Sequence, residues 1–247
     1  MNRLSLIKQA LSTGAYTISS LVCAIFISWV VLASVDFAYP WLHDSLNIEQ
    51  HTLKYGPQNR YRDNFENTNR DERIRLFSAI NTSIHDHGHG LAEIEYFDKN
   101  TQTKINTLLH TSEILHLTDV SYLIDLFRIT AFASFLLWLG LILQRFKRSQ
   151  LAPNIKQQSL STLSIIILFS IIILIIGPVN VFYAFHELLF PANHKWFFYY
   201  QESLMTILMK APTLFGYIAI LITLLSIPIF IIMNAIASKI LEHYQQT

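Results

Sequence analysis

Four runs of apolar residues, each about twenty residues long, constrain this 247-residue chain more than any other feature. An α-helix rises about 1.5 Å per residue, so about twenty residues cross a hydrocarbon core of about 30 Å. The runs place membrane spans at residues 15–35, 121–144, 159–177 and 211–237. No water reaches the hydrocarbon interior, so every backbone N–H and C=O there must be paired within the segment, and each span is expected to be a helix. The first run follows Arg3 and Lys8 but is longer than a signal-peptide core and has no small-residue cleavage ending, so it reads as an uncleaved anchor. With 52% hydrophobic and 14% charged side chains and a net charge of +1, the chain is neither a disordered protein nor a nucleic-acid binder. Cys23 is its only cysteine, which excludes an intrachain disulfide and a CxxC site.

Charge sets the expected orientation. The link at residues 145–158 carries Arg145, Lys147, Arg148 and Lys156 with no acid, and the N-terminus at 1–14 carries Arg3 and Lys8 with none. Both are expected in the cytoplasm by the positive-inside rule, as is the tail at 238–247, giving a multi-pass protein of the bacterial cytoplasmic membrane with both termini inside. Residues 36–120 and 178–210 are then extracytoplasmic. The expected fold is mainly α, a bundle of four transmembrane helices with a small α+β cap between the first two spans. In the cap, Ile74, Phe77, Ile80 and Ile84 recur at helical spacing over Asp71–Ile84. The alternation of Leu91, Ile94 and Tyr96 predicts a strand over Leu91–Phe97. Residues 108–120 return to a helical pattern, and Lys54–Asn69 reads as a loop.

Two histidine segments are expected at the same membrane surface. Glu113, His116 and Asp119 are spaced three apart just before the second span, so on a helix a carboxylate in either neighbouring turn would reach the imidazole and orient it as a base. His186 and Glu187 lie in a segment dense in aromatics, with Tyr183, Phe185, Phe190 and Trp196 suited to an interfacial, substrate-binding surface. Arg128 lies near the start of the second span with Asp125 three residues earlier, where it either pairs or snorkels, or supports an oxyanion. His85, His87 and His89 alternate in HDHGH. On a strand they would share a face and form a weak metal candidate, although Gly88 and Gly90 favour a turn.

EILHLTDV at Glu113–Val120 and FHELLFPANHKW at Phe185–Trp196, followed by Pro212 and Phe215, resemble the paired signatures of the Lit family, the lipoprotein intramolecular transacylases. The resemblance covers the chain from first span to last. It implies that the sn-2 acyl chain of a diacylglyceryl lipoprotein moves to the α-amino group of the lipoprotein's N-terminal cysteine, leaving a lyso-form lipoprotein. It further implies that His116 and His186 are the functional histidines, with Glu113 and Asp119 in support, and that no cofactor is needed. The partners it implies are diacylglyceryl lipoproteins and membrane lipids, with the oligomeric state open. Sequence does not say which histidine is base and which is acid. Two other readings remain at this level: a metal-dependent lipid hydrolase built on His85, His87 and His89, and a non-catalytic assembly or sensor protein whose aromatic segment packs on a partner.

Overall fold

The structure is a computed structural model and describes residues 3–246; residues 1, 2 and 247, at the outer ends of the two expected flanks, lie outside it. In chain order the helices are α1 (Arg3–Ala33), α2 (Tyr39–Ser45), α3 (Ile48–Tyr55), α4 (Arg70–His85), α5 (Thr111–Lys147), α6 (Ile155–Ile176), α7 (Pro178–Leu189), α8 (Leu204–Met209) and α9 (Thr213–Gln246), with strands β1 (Glu95–Phe97) and β2 (Lys104–Thr107) between α4 and α5. Helices α1, α5, α6 and α9 each contain a stretch long and apolar enough to cross a membrane. The mainly helical class, the four apolar helices and the small sheet agree with the sequence expectation. The chain divides into two compact units. One holds residues 1–31, 127–175 and 220–247, the other residues 32–126 and 176–219.

In the first unit α1 bonds to all three other helices. Its buried positions, Tyr16, Ser19, Ser20, Cys23, Ala24 and Ser28, follow helical spacing, and most are small, which lets neighbouring backbones approach. Thr17 Oγ1 donates to Gln158 Oε1 on α6 at 3.0 Å, and Asn234 Nδ2 on α9 donates to Ser20 Oγ at 3.3 Å. Cys23 Sγ lies 3.8 Å from the Ala131 carbonyl on α5. The outer surfaces carry large exposed apolar side chains such as Leu160, Leu174 and Ile175, which water would penalise and lipid accepts.

The second unit is α+β. Asn69 caps α4, its side-chain oxygen accepting from Glu72 N at 2.8 Å, and Asp71 and Glu72 in the first turn suit the helix dipole. The buried face of α4 is turned from the expected stripe. Leu76, Phe77 and Ile80 are buried beside Arg73, while Ile74 and Ile84 are only partly covered. Arg73 tolerates full burial because Nε donates to His43 Nε2 at 3.0 Å, Nη1 donates to the Thr68 carbonyl at 2.8 Å and Nη2 lies 3.5 Å from Glu49. Hydrophobic periodicity cannot anticipate a cation whose partners lie on other elements. Phe77 stacks on Tyr39 with ring centroids 4.0 Å apart, and the Tyr39 hydroxyl donates to the Leu208 carbonyl at 2.7 Å, tying α2 to α4 and α8.

Several boundaries shift. Leu91–Glu93 is a single turn of 3₁₀ helix and only Glu95–Phe97 is strand, although Leu91, Ile94 and Tyr96 form the buried set as expected. β1 pairs antiparallel with β2, Tyr96 opposite Asn106, with a register shift after Tyr96. The helical pattern expected over 108–120 begins at Thr111 and runs unbroken into the second apolar run, because nothing between them breaks a helix. α1 and α9 likewise extend beyond the apolar runs into the polar flanks. Gly177 breaks the helical path: at φ 94° it adopts a conformation open to glycine, α6 ends before it and Pro178 starts α7.

Burial keeps two imidazoles of this unit neutral. His43 lies below the ordinary value of 6.5 through burial, with Arg73 adding to the effect, and His51 is pushed down to about 4 by burial and by Lys210 and Lys54. An unfolded chain binds these protons first, so their contribution to stability is complete above pH 6.5 and is lost as the pH falls below it, for His51 down toward about 4. The unfolding temperature is therefore expected to hold between pH 7 and 8 and to drop between pH 6.5 and 4, with part of that slope removed by His51→Gln. A flat thermal profile over the acid range would contradict neutral burial.

Candidate active site

The site lies wholly in the second unit and is built by the first turns of α5, by α7 and by the segment joining α7 to α8. Glu113, His116 and Asp119 are three residues apart on α5 and so share a face. Only the middle one meets the other candidate histidine. The rings of His116 and His186 are 5.9 Å apart, both residues are buried, and the pair is enclosed by aromatics. Phe190 lies 4.9 Å from His116 and 5.2 Å from His186, Trp196 lies 5.1 Å from His186, and Phe198 lies 6.1 Å from His116. The sequence expectation that these two histidines converge from distant segments is matched by this geometry.

The two imidazoles differ in their hydrogen bonding. His186 Nδ1 lies 2.7 Å from the Phe182 carbonyl one turn earlier in α7. A carbonyl only accepts, so Nδ1 carries the proton and Nε2 keeps its lone pair. Burial holds His186 below the ordinary imidazole range, which keeps it neutral at pH 7. His116 has neither ring nitrogen hydrogen-bonded among the described residues. Its ring is fixed by packing, and both nitrogens remain available to a substrate.

The carboxylates are used otherwise than expected. Neither Glu113 nor Asp119 hydrogen-bonds His116. Glu113 is fully buried: Oε2 accepts from the His110 backbone N–H at 2.8 Å, while Oε1 accepts from the Ser203 hydroxyl and from the Met205 N–H at 3.2 Å. Asp119 Oδ2 accepts from His194 Nδ1 at 2.7 Å. The flanking carboxylates thus hold the two ends of residues 194–205, the segment that carries Trp196 and Phe198, and leave His116 between them. His110 adds a third tie, Nε2 donating to the Glu202 carbonyl at 3.0 Å. Spacing alone permitted the imidazole contact; the His110 N–H, the Ser203 hydroxyl and Met205 N–H at the start of α8, and the His194 ring take those oxygens instead.

The remaining candidates divide. Phe185 is exposed with its ring 5.7 Å from His186, and Tyr183 packs on Trp196 at 5.8 Å, so both belong to the aromatic surround. Glu187 is exposed and has no side-chain partner among the described residues. Arg128 belongs to the other unit, where it is half-buried. His85, His87 and His89 do not converge. His85 ends α4 with Nδ1 on the Asn81 carbonyl at 2.8 Å, His87 sits in a turn at φ 55° with Nδ1 on Asp125 at 2.7 Å, and His89 is exposed beside Asp86. Gly88 and Gly90, at φ 81° and 84°, make this segment a turn, so alternate side chains do not share a strand face. Among the described residues no three His, Cys, Asp or Glu side chains are grouped to hold a metal, which removes the basis of the metal-dependent hydrolase reading. Sequence reasoning missed His194, Phe198 and Ser203. The first two lie within or just past the aromatic motif, and Ser203 carries the signature of an N-cap before LMTILM, its oxygen accepting from Thr206 N at 3.0 Å.

The sequence matches the family model described as lipoprotein intramolecular transacylase Lit over residues 15–211. Three solved structures of the membrane-integral lipoprotein intramolecular transacylase Lit from Bacillus cereus are similar in fold. One, a variant with a histidine replaced by arginine, is 17% identical with a TM-score of 0.65 and covers 100% of this chain and 99% of its own. A second is 18% identical with a TM-score of 0.63, covering 96% and 97%, and an alanine variant is 16% identical with a TM-score of 0.66, covering 100% of both. Comparison with curated proteins finds no match.

Proposed function

Because this chain belongs to the Lit family of lipoprotein intramolecular transacylases and is a multi-pass bacterial membrane enzyme, we propose that it moves the sn-2 acyl chain of a diacylglyceryl lipoprotein to the α-amino group of the lipoprotein's N-terminal cysteine, with His186 as general base and His116 as its partner. Membership in an enzyme family also displaces the assembly or sensor reading. The observation that carries the proposal is the buried His116–His186 pair, rings 5.9 Å apart, in which the Nδ1–H of His186 is committed to Phe182 and Nε2 is left as the acceptor.

The chemistry balances with these groups alone. An α-amine has an unperturbed pKa near 8, so its free-base fraction attacks the sn-2 ester carbonyl while His186 Nε2 takes a proton from nitrogen. The tetrahedral intermediate collapses with a new amide C–N bond and a broken ester C–O bond, and the departing glycerol oxygen receives a proton from the histidine pair. His116, with both nitrogens free of protein partners, is suited to donate to the developing oxyanion. Both reacting groups belong to one substrate, so holding them in attack geometry supplies much of the rate and no cofactor is required. Phe190, Trp196 and Phe198 exclude water that would hydrolyse the ester, and Phe185 and Tyr183 offer an apolar surface to the acyl chain. The positive-inside distribution supports a cytoplasmic membrane location with both termini inside and the histidine pair on the extracytoplasmic side.

Fragmentation mass spectrometry of a reporter lipoprotein's N-terminal lipopeptide, from bacteria making diacylglyceryl lipoproteins with and without this protein, tests the reading. Acyl migration preserves mass, so the fragments must locate the chain. An N-acyl, lyso-glyceryl lipopeptide that depends on the protein is the expected result; an unchanged diacylglyceryl lipopeptide, with the protein inserted and folded, would sink it.

A further inference from the structure

The first unit is charged in a way its apolar helices do not require. It holds eight Lys and Arg residues and one acid, Glu242. Arg145, Lys147, Arg148 and Lys156 lie at the turn between α5 and α6. The middle of α1 and the end of α9 reach this end of the unit, since Thr17 bonds Gln158 at the start of α6 and the Phe146 ring lies 5.0 Å from Tyr244.

One of these cations is built into the unit. Arg145 is half-buried, its guanidinium carbon 5.7 Å from the centroid of the fully buried Tyr16 ring, which lies 6.1 Å from Trp138. Arg145 Nη1 donates to the Leu151 carbonyl at 3.0 Å, and no carboxylate among the described residues pairs with the guanidinium. Arg145 Nε is buried and completes no hydrogen bond, and Trp138 Nε1 and the Tyr16 hydroxyl, also buried, have no hydrogen-bond partner but each other. A half-buried cation without an acid, its Nε unpartnered beside an indole N–H and a phenol that have only each other, is an under-satisfied arrangement that an anion with several acceptor oxygens completes.

We propose that Arg145, Trp138 and Tyr16 form a binding site for the phosphate of an anionic phospholipid. The Nε and Nη2 edge of the guanidinium matches two phosphate oxygens, and an indole N–H and a phenol are suited to headgroup depth. A lipid is favoured over soluble phosphate because the flanking surface is apolar, with Leu151, whose carbonyl Arg145 binds, more than half exposed. The surplus of basic side chains selects a lipid of net negative charge. This site is independent of the histidine pair.

The test follows thermal unfolding of the purified full-length protein in detergent, titrated with dioleoylphosphatidylglycerol, dioleoylphosphatidylcholine or inorganic phosphate. Phosphatidylglycerol is expected to raise the unfolding temperature saturably and phosphatidylcholine to do so far less. R145Q should raise the half-saturating phosphatidylglycerol concentration about tenfold, the loss of one charge-assisted contact. W138F should weaken binding in the same direction and carries the test if R145Q does not fold. R148Q, on the same turn, should change it by less than about threefold, as a solvated charge does. Equal stabilisation by phosphatidylcholine, or an R148Q effect as large as that of R145Q, would overturn the site. Saturation by inorganic phosphate alone would support the phosphate chemistry and overturn its assignment to a lipid.

Discussion

His186→Ala is expected to lower formation of the N-acylated lyso product by about 10²- to 10⁴-fold, the range a positioned general base supplies. The structural cost of the change is small. The Nδ1–H it removes reaches a helical carbonyl one turn away, which also accepts within the α7 backbone. An activity loss at unchanged expression and unfolding temperature is therefore chemical. His116→Ala is expected to lose a comparable factor, and the double variant little more, because groups acting on one transition state are not additive. The rate should also carry a pH signature. The base must be unprotonated to work, and burial lowers the His186 pKa, so the acid limb should fall below the ordinary imidazole range with the rate level across pH 7 as far as this group is concerned. Retention of more than about a tenth of the activity in His186→Ala would remove that residue from the role of base.

The histidines were readable from sequence while the role of their neighbours was not, and the difference is physical. A long apolar run is a local property, as is a histidine flanked by carboxylates at helical spacing or embedded in an aromatic segment, and the four long helices and the two histidines that meet both carry such patterns. What a carboxylate binds is decided by which donors the fold brings to it. Glu113 meets the His110 N–H within its own turn, which spacing could have suggested, but also Ser203 and Met205, about ninety residues later, which it could not. Arg73 shows the same limit in the α+β unit, since its burial depends on His43, Thr68 and Glu49. The HDHGH turn shows the converse: its glycines signalled the positive-φ conformation that separates the imidazoles.

Glu113→Ala should therefore act first on the fold. The carboxylate is fully buried and accepts from two backbone N–H groups and one hydroxyl, so its removal strands three donors at about 1–3 kcal/mol each. A loss of about 3–5 kcal/mol is expected, seen as an unfolding temperature lower by roughly 10 °C. Activity should fall with it, because the same bonds fix the start of α8 and with it the segment that brings Trp196 and Phe198 to the histidines. Glu113→Gln keeps an acceptor on one side only and should lie between. Asp119→Asn should be far milder, since its carboxamide oxygen can still accept from His194 and the pair is partly solvated. Thermal unfolding and product formation measured on the same samples separate a clamp from a catalytic acid. If Glu113→Ala abolished product while its unfolding temperature matched that of the unmodified protein, the carboxylate would belong to the chemistry of His116 and not to the architecture around it.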